Sequence, residues 1–156
     1  MVICVCDGKL GAAGGVGVSP VQIGKIRGAT VIAVARGSEK VRFFKSLGVD
    51  HVVDLSNEDM TQSVKGFLTA RKLKGVDVLY DPVGGKLTKD SLKLLNWGEQ
   101  ILIIGFASGE VPAQQISLLL RTGQFMNCTG GAIGYIDRVF SKIHSRNCCL
   151  GWLMAY

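Results

Sequence analysis

The chain has 156 residues, 47% of them hydrophobic, with 21 glycines, only 3 prolines and a formal charge of +6. That length and composition suit one globular domain with a real core and exclude a disordered chain. No run reaches the roughly 18 uninterrupted apolar residues of a membrane helix, and the 18 Lys and Arg are scattered rather than clustered, so neither a membrane nor a nucleic acid is expected as partner. The apolar start at residues 1–6 is interrupted by Asp7 and Lys9 and has no basic region before it. It makes a poor signal peptide, and a cytoplasmic location is expected. The five cysteines, Cys4, Cys6, Cys128, Cys148 and Cys149, form no Cys-x-x-Cys pair, and His51 and His144 have no cysteine at zinc-ligand spacing. Reduced thiols and no metal site are expected.

In chain order, VICVC (2–6) reads as a strand. The glycine-rich stretch LGAAGGVG runs straight into a helix over 18–27, with Val18, Val21, Ile23 and Ile26 at helical spacing and Gly28 as its C-cap. TVIAVA (30–35) is a nearly continuous apolar strand, the pattern of a strand covered on both faces. SEKVRFFKSLG (38–48) is a short helix with Val41, Phe44 and Leu47 on one side, and HVVDL (51–55) is the next strand. Ser56 with Asp59 three residues on resembles a capping box and opens a helix through about Thr69. GVDVLYD (75–81) is a strand ended by Pro82 and the Gly84 and Gly85 turn. A helix over 87–95 offers Leu87, Leu92 and Leu95 to the core, and QILIIG (100–105) is a buried strand. FMNCT (125–129) reads as a last strand, while CTGGAIG is too glycine-rich to assign.

Strands separated by helices throughout give an α/β fold: a Rossmann-type doubly wound parallel sheet with helices on both faces. Residues 1–120 make up this domain. Residues 121–156 are an extension, with a last strand and helix of the same domain as one reading of it.

In the glycine loop, Ala12, Gly14 and Gly17 have the spacing of a G-x-G-x-x-G fingerprint whose first glycine is alanine. Gly14 would let the backbone approach a pyrophosphate, Gly17 would let the helix pack on the sheet, and the helix N-terminus would face the anion. A tight turn with no ligand is the alternative. Asp7, Gly8 and Lys9 also intervene where the fingerprint has its strand run directly into the loop. About 18 residues beyond Gly17, where an NAD site places an acid on the ribose, the chain has Ala35 followed by Arg36, Gly37, Ser38, Glu39 and Lys40. Either Arg36 and Lys40 are ordinary surface charges, or they receive a 2′-phosphate. The missing acid favours NADPH over NADH.

The segments GAAGGVG, GATVIAVA, SLGVDHVVD, GVDVLYDPVGG and LLNWGEQILIIGFASGE together resemble the cofactor domain of quinone oxidoreductase-like medium-chain dehydrogenases/reductases. The resemblance implies that Ala12, Ala13, Gly14, Gly15, Val16 and Gly17 hold the pyrophosphate. It places Arg36, Ser38 and Lys40 at the 2′-phosphate, Asp81 and Val83 near the ribose, and Ile104, Gly105 and Phe106 along the nicotinamide. Leu55 stands where many members have a tyrosine near the adenosine phosphate. Full-length members carry a preceding β-barrel-like catalytic domain with no counterpart in this sequence. Their closing strand, which pairs two subunits into a homodimer, is not recognisable in GQFMNCTGGAIGYIDRVF. The activity implied is hydride transfer from NADPH to quinones or activated alkenes, here in an incomplete chain. The alternative is a dinucleotide-binding module or truncated fragment with no catalysis of its own. Tyr80 and Asp81, a tempting polar pair at a strand end, are expected to be structural.

Overall fold

The computed structural model describes residues 2–5, 15–109 and 124–127. Strand β1 (Val2–Val5) and helix α1 (Gly15–Ile26) are followed by β2 (Val31–Ala35), α2 (Ser38–Ser46), β3 (His51–Asp54) and α3 (Met60–Ala70). Then come β4 (Val76–Asp81), α4 (Gly85–Ser91), a single 3-10 turn (Leu92–Leu94), β5 (Leu95–Ile103) and β6 (Gln124–Asn127). The strands form one sheet in the order β3-β2-β1-β4-β5-β6, every pair parallel. The chain winds outward from β1 through β2 to β3, then returns to the other side of β1 and winds out again. That is the Rossmann order, with its switch point between β1 and β4.

The alternation of side chains along each strand divides the core in two. On one face Val31, Ala33, Ala35, Val78, Tyr80 and Leu102 pack with Val21 of α1 and Phe44 of α2. On the other, Ile32, Val34, Val53, Leu79, Ile101 and Ile103 pack with Met60, Val64 and Leu68 of α3. All five residues of β2 are buried, as its unbroken apolar run requires, and β2 lies inside the sheet between β3 and β1. Of the apolar positions on the first helix, Val21 is fully buried, whereas Ile26 is 82% exposed in the last turn.

Asp50 joins three elements just before β3. Its carboxylate accepts from the Val31 N–H at 2.8 Å and from the Lys25 ammonium at 3.0 Å. Burial alone would raise this carboxyl, but those two donors outweigh it and hold it below its ordinary value.

Four boundaries differ from the sequence reading, the first being that α1, expected over 18–27, begins at Gly15 and takes the last glycines of the loop into its first turn. The capping box at Ser56 does not form, because the Ser56 N–H and the Asn57 amide are both taken by the Asp54 carboxylate. Helix α3 starts at Met60 instead, with Asp59 as N-cap accepting from the Gln62 N–H at 2.9 Å. The helix expected over 87–95 begins earlier, at Gly85, and stops at Ser91. After the 3-10 turn Leu95 becomes extended and pairs with Val76, so β5 starts well before Gln100. Its pairing with β4 shifts register between Val76 and Val78, and the Asn96 amide donates to Asp77 at 2.8 Å beside the shift. The last strand, expected over 125–129, is β6, paired to β5.

Candidate functional site

Because all six strands are parallel, their C-terminal ends share one edge, and the N-terminal turn of α1 opens at that edge. Ala12, Ala13 and Gly14 lie outside the described residues. Gly15, Val16 and Gly17 form the first turn of α1, with Val16 55% exposed and Gly17 buried. Their helix therefore presents its N-terminal N–H groups where a doubly wound sheet receives an anion.

The turn after β2 carries Arg36, Gly37 and Ser38. Gly37 has φ 98, a left-handed value that a side chain would resist. The turn is held by Asp54, the last residue of β3, which was not among the site residues expected from the sequence. The Asp54 carboxylate accepts from the Gly37 N–H at 3.1 Å, the Ser56 N–H at 2.9 Å and the Asn57 side-chain amide at 3.0 Å. The N–H bonds from Ser56 and Gly37 keep its carboxyl below the usual carboxylate value. The backbone adds a further tie, since the Leu55 N–H donates to the Ala35 carbonyl at 2.8 Å. One buried carboxylate thus fixes both the β2–α2 and the β3–α3 turns.

A similar device closes the turn after β4. The Asp81 side chain is fully buried and accepts from the N–H groups of Val83 and Gly84, each at 2.8 Å, and from the Thr88 hydroxyl. Gly84, at φ 78, permits that curl. The Asp81 carboxylate is thus spent on its own turn, and Val83, 3% exposed, packs into the core beneath the cleft that it helps to line. The chain beyond β5 runs alongside: the N–H groups of Ile104, Ala107 and Ser108 donate to the carbonyls of Asp81, Pro82 and Val83. A Cβ on Gly105 would come within contact distance of the Pro82 carbonyl, at 3.4 Å. Ile104, Gly105 and Phe106 are all half-buried.

A cleft of about 360 Å³ lies at this edge. Arg36 and Val83 are the expected site residues that line it, and Leu55, Met60, Gly84, Lys86, Leu87 and Ser108 join them. Ser38 is exposed and Lys40 half-buried at the start of α2, outside the cleft lining, as are Ile104, Gly105 and Phe106. No acid stands at the end of β2, but Glu58, Asp59 and Asp90 reach the cleft from elsewhere. Each has its own partner. Glu58 accepts from the Ser63 hydroxyl at 2.5 Å, Asp59 caps α3, and Asp90 pairs with Lys93 at 2.8 Å. These carboxylates come from the β3–α3 turn and from helix α4, distant in sequence, so inspecting the end of β2 alone could not find them. Lys86 sits one residue past the double glycine that opens α4, a position the sequence marked only as a turn.

Comparison with known proteins is decisive for the family. The profile of the zinc-binding dehydrogenase family matches residues 15–145. The chain belongs to that family. A probable quinone oxidoreductase of Leishmania amazonensis is 40% identical over 105 residues, covering 64% of this chain and 30% of that protein. The NADPH-dependent curcumin reductase of Escherichia coli is 38% identical over 129 residues, 78% of this chain and 34% of that protein. In three dimensions the chain matches the crystal structure of CurA in complex with NADPH from Vibrio vulnificus with a TM-score of 0.65 and 25% identity, covering 94% of this chain and 46% of that one. The chain therefore spans about a third of the length of these curated relatives. The resemblance to quinone oxidoreductase-like proteins and the Rossmann-type fold both stand. The zinc of the family's name finds no ligand set among the described residues, where no three His, Cys, Asp or Glu side chains are grouped to hold a metal ion. No helix among those residues is long and apolar enough to cross a membrane.

Proposed function

We propose that the chain binds NADPH across the C-terminal edge of its sheet and serves hydride transfer to quinones or activated alkenes. The observation that carries this reading is the convergence at one edge of the α1 N-terminus, the Arg36 turn and the cleft beside Val83, astride the switch point of a Rossmann-ordered sheet. The likeness to an NADPH-bound structure and to an NADPH-dependent reductase supports it.

In this reading residues 1–120 form the NADP-binding unit, and β6 from residues 121–156 extends its sheet. Residues 12–17 and the α1 dipole would hold the pyrophosphate. Arg36, Ser38 and Lys40 would receive the 2′-phosphate, and Val83 would lie near the ribose, with Asp81 shaping its turn. Ile104, Gly105 and Phe106 would border the nicotinamide, and β6 at the sheet edge would be the pairing strand of a homodimer. The bound cofactor supplies the hydride, so the protein's part is binding, orientation and exclusion of water.

The test mixes the chain with NADPH and then adds a quinone, following cofactor fluorescence for binding and absorbance for oxidation. Binding followed by quinone-dependent loss of NADPH is the expected result. Binding without oxidation would leave a dinucleotide-binding module in place of an oxidoreductase. No binding would overturn both.

A further inference from the structure

The strongest feature that the cofactor reading does not use is Asp54. It is 8% exposed, ends β3 at the sheet edge that carries the cleft, and spends its carboxylate on two backbone N–H groups and one amide. Two of the turns that wall the cleft, one with Arg36 and one with Leu55 and Glu58, depend on it. Without an acceptor there, the half-buried Gly37 N–H, in a glycine at φ 98, loses its partner, and the Leu55 N–H bond to the Ala35 carbonyl is what still ties the two turns.

We propose that Asp54 is a positioning residue that sets how well this chain tells a 2′-phosphate from a 2′-hydroxyl on the cofactor's adenosine ribose. The proposal rests on the NADPH reading above. Asp54 acts through two effects of opposite sign. Its hydrogen bonds hold the turn of Arg36, Gly37 and Ser38 in the shape that meets a 2′-phosphate. Its negative charge, one hydrogen bond away from the Gly37 backbone, opposes the same phosphate. The low carboxyl value means the charge is present throughout the neutral range.

The two effects separate chemically. Asp54→Asn keeps an oxygen for the Gly37 and Ser56 N–H groups and removes the charge; Asn57 can turn its amide over to face the new one. Asp54→Ala removes acceptor and charge together. Groups that touch only the 2′ substituent change NADPH affinity and leave NADH affinity nearly alone, so the readout is the ratio of the two affinities. A merely structural role would weaken both cofactors together and leave that ratio unmoved.

The experiment titrates NADPH and NADH by fluorescence into wild type, Asp54→Asn and Asp54→Ala, with circular dichroism recording that each is folded. The NADPH-to-NADH affinity ratio is expected to fall about fivefold or more in Asp54→Ala, the loss of a well-placed charged contact. In Asp54→Asn it is expected to rise about twofold or more, as a nearby like charge is removed. Should Asp54→Ala fail to fold, Asp54→Asn decides alone: a raised ratio supports the assignment, and an unchanged or lowered ratio overturns it. A ratio that moves in the same direction in both variants, or in neither, also overturns it. Failure of the NADPH reading is distinguishable, because it appears in the wild type as binding of neither dinucleotide and takes this assignment with it.

Discussion

Gly17→Val is expected to abolish dinucleotide binding and to destabilise the chain, whereas Gly14→Val is expected to abolish binding and leave the fold largely intact. Gly17 is buried in the first turn of α1, where the helix lies against the sheet. A valine there must push the helix away, and overpacking of this kind costs about 1–3 kcal/mol. For a chain of this size that lowers the melting temperature by roughly 2–4 °C per kcal/mol. The displaced helix also carries its N-terminal N–H groups away from the pyrophosphate. Gly14 lies outside the described residues, and its expected role is the close approach of backbone to the anion, so its replacement blocks the ligand without disturbing the core. Cofactor titration and thermal unfolding of both variants separate the two roles. Wild-type affinity in Gly14→Val would mean that the loop is only a turn.

Selectivity for NADPH over NADH is the second large effect. Arg36, Ser38 and Lys40 occupy the end of β2 and the start of α2, and Ala35 removes the carboxylate that would bind a 2′-hydroxyl. A hydrogen bond to a charged group is worth roughly 1.5–3 kcal/mol, so one well-placed contact gives about a ten- to hundredfold preference. Two features pull toward the lower end. Leu55 lines the cleft without the hydroxyl that a tyrosine would offer, and the Asp54 carboxylate lies just behind the turn. Titration of both cofactors into wild type and into an Arg36→Asp/Lys40→Ala double variant checks it. The wild type should prefer NADPH and the double variant should lose that preference. Equal wild-type affinities would reduce these cations to surface charge.

The parts of the fold that were legible in the sequence are those whose burial is decided locally. Strand β2 is buried on both faces, so its five residues are all apolar and read at once as an inner strand. Phe44, with Val41 and Leu47 beside it, marks the buried side of α2 for the same reason. The misread boundaries are those where a distant partner decides. Ser56 looks like a cap until Asp54 takes its N–H. The polar start of β5 looks unlike a strand until Leu95 finds Val76.

The site divides in the same way. Arg36 was found because the fingerprint fixes a spacing along the chain. Asp54 was not, because it works on Gly37, 17 residues earlier, through space. Its one local signal is an acid inside an otherwise apolar predicted strand, HVVDL. Glu58, Asp59 and Lys86 reach the cleft only once the loops after β3 and β4 are folded side by side.

The central claim is that a nicotinamide dinucleotide lies across the C-terminal edge of the sheet, at the switch point between β1 and β4. Backbone amide chemical shifts recorded as NADPH is added test it most directly. The account predicts that the amides of Gly17, Gly37, Leu55, Val83 and Gly105 move, while those of Ala29, Val49 and Gly75, at the opposite edge, stay still. Shifts concentrated at that opposite edge, or none at saturating NADPH, would contradict it.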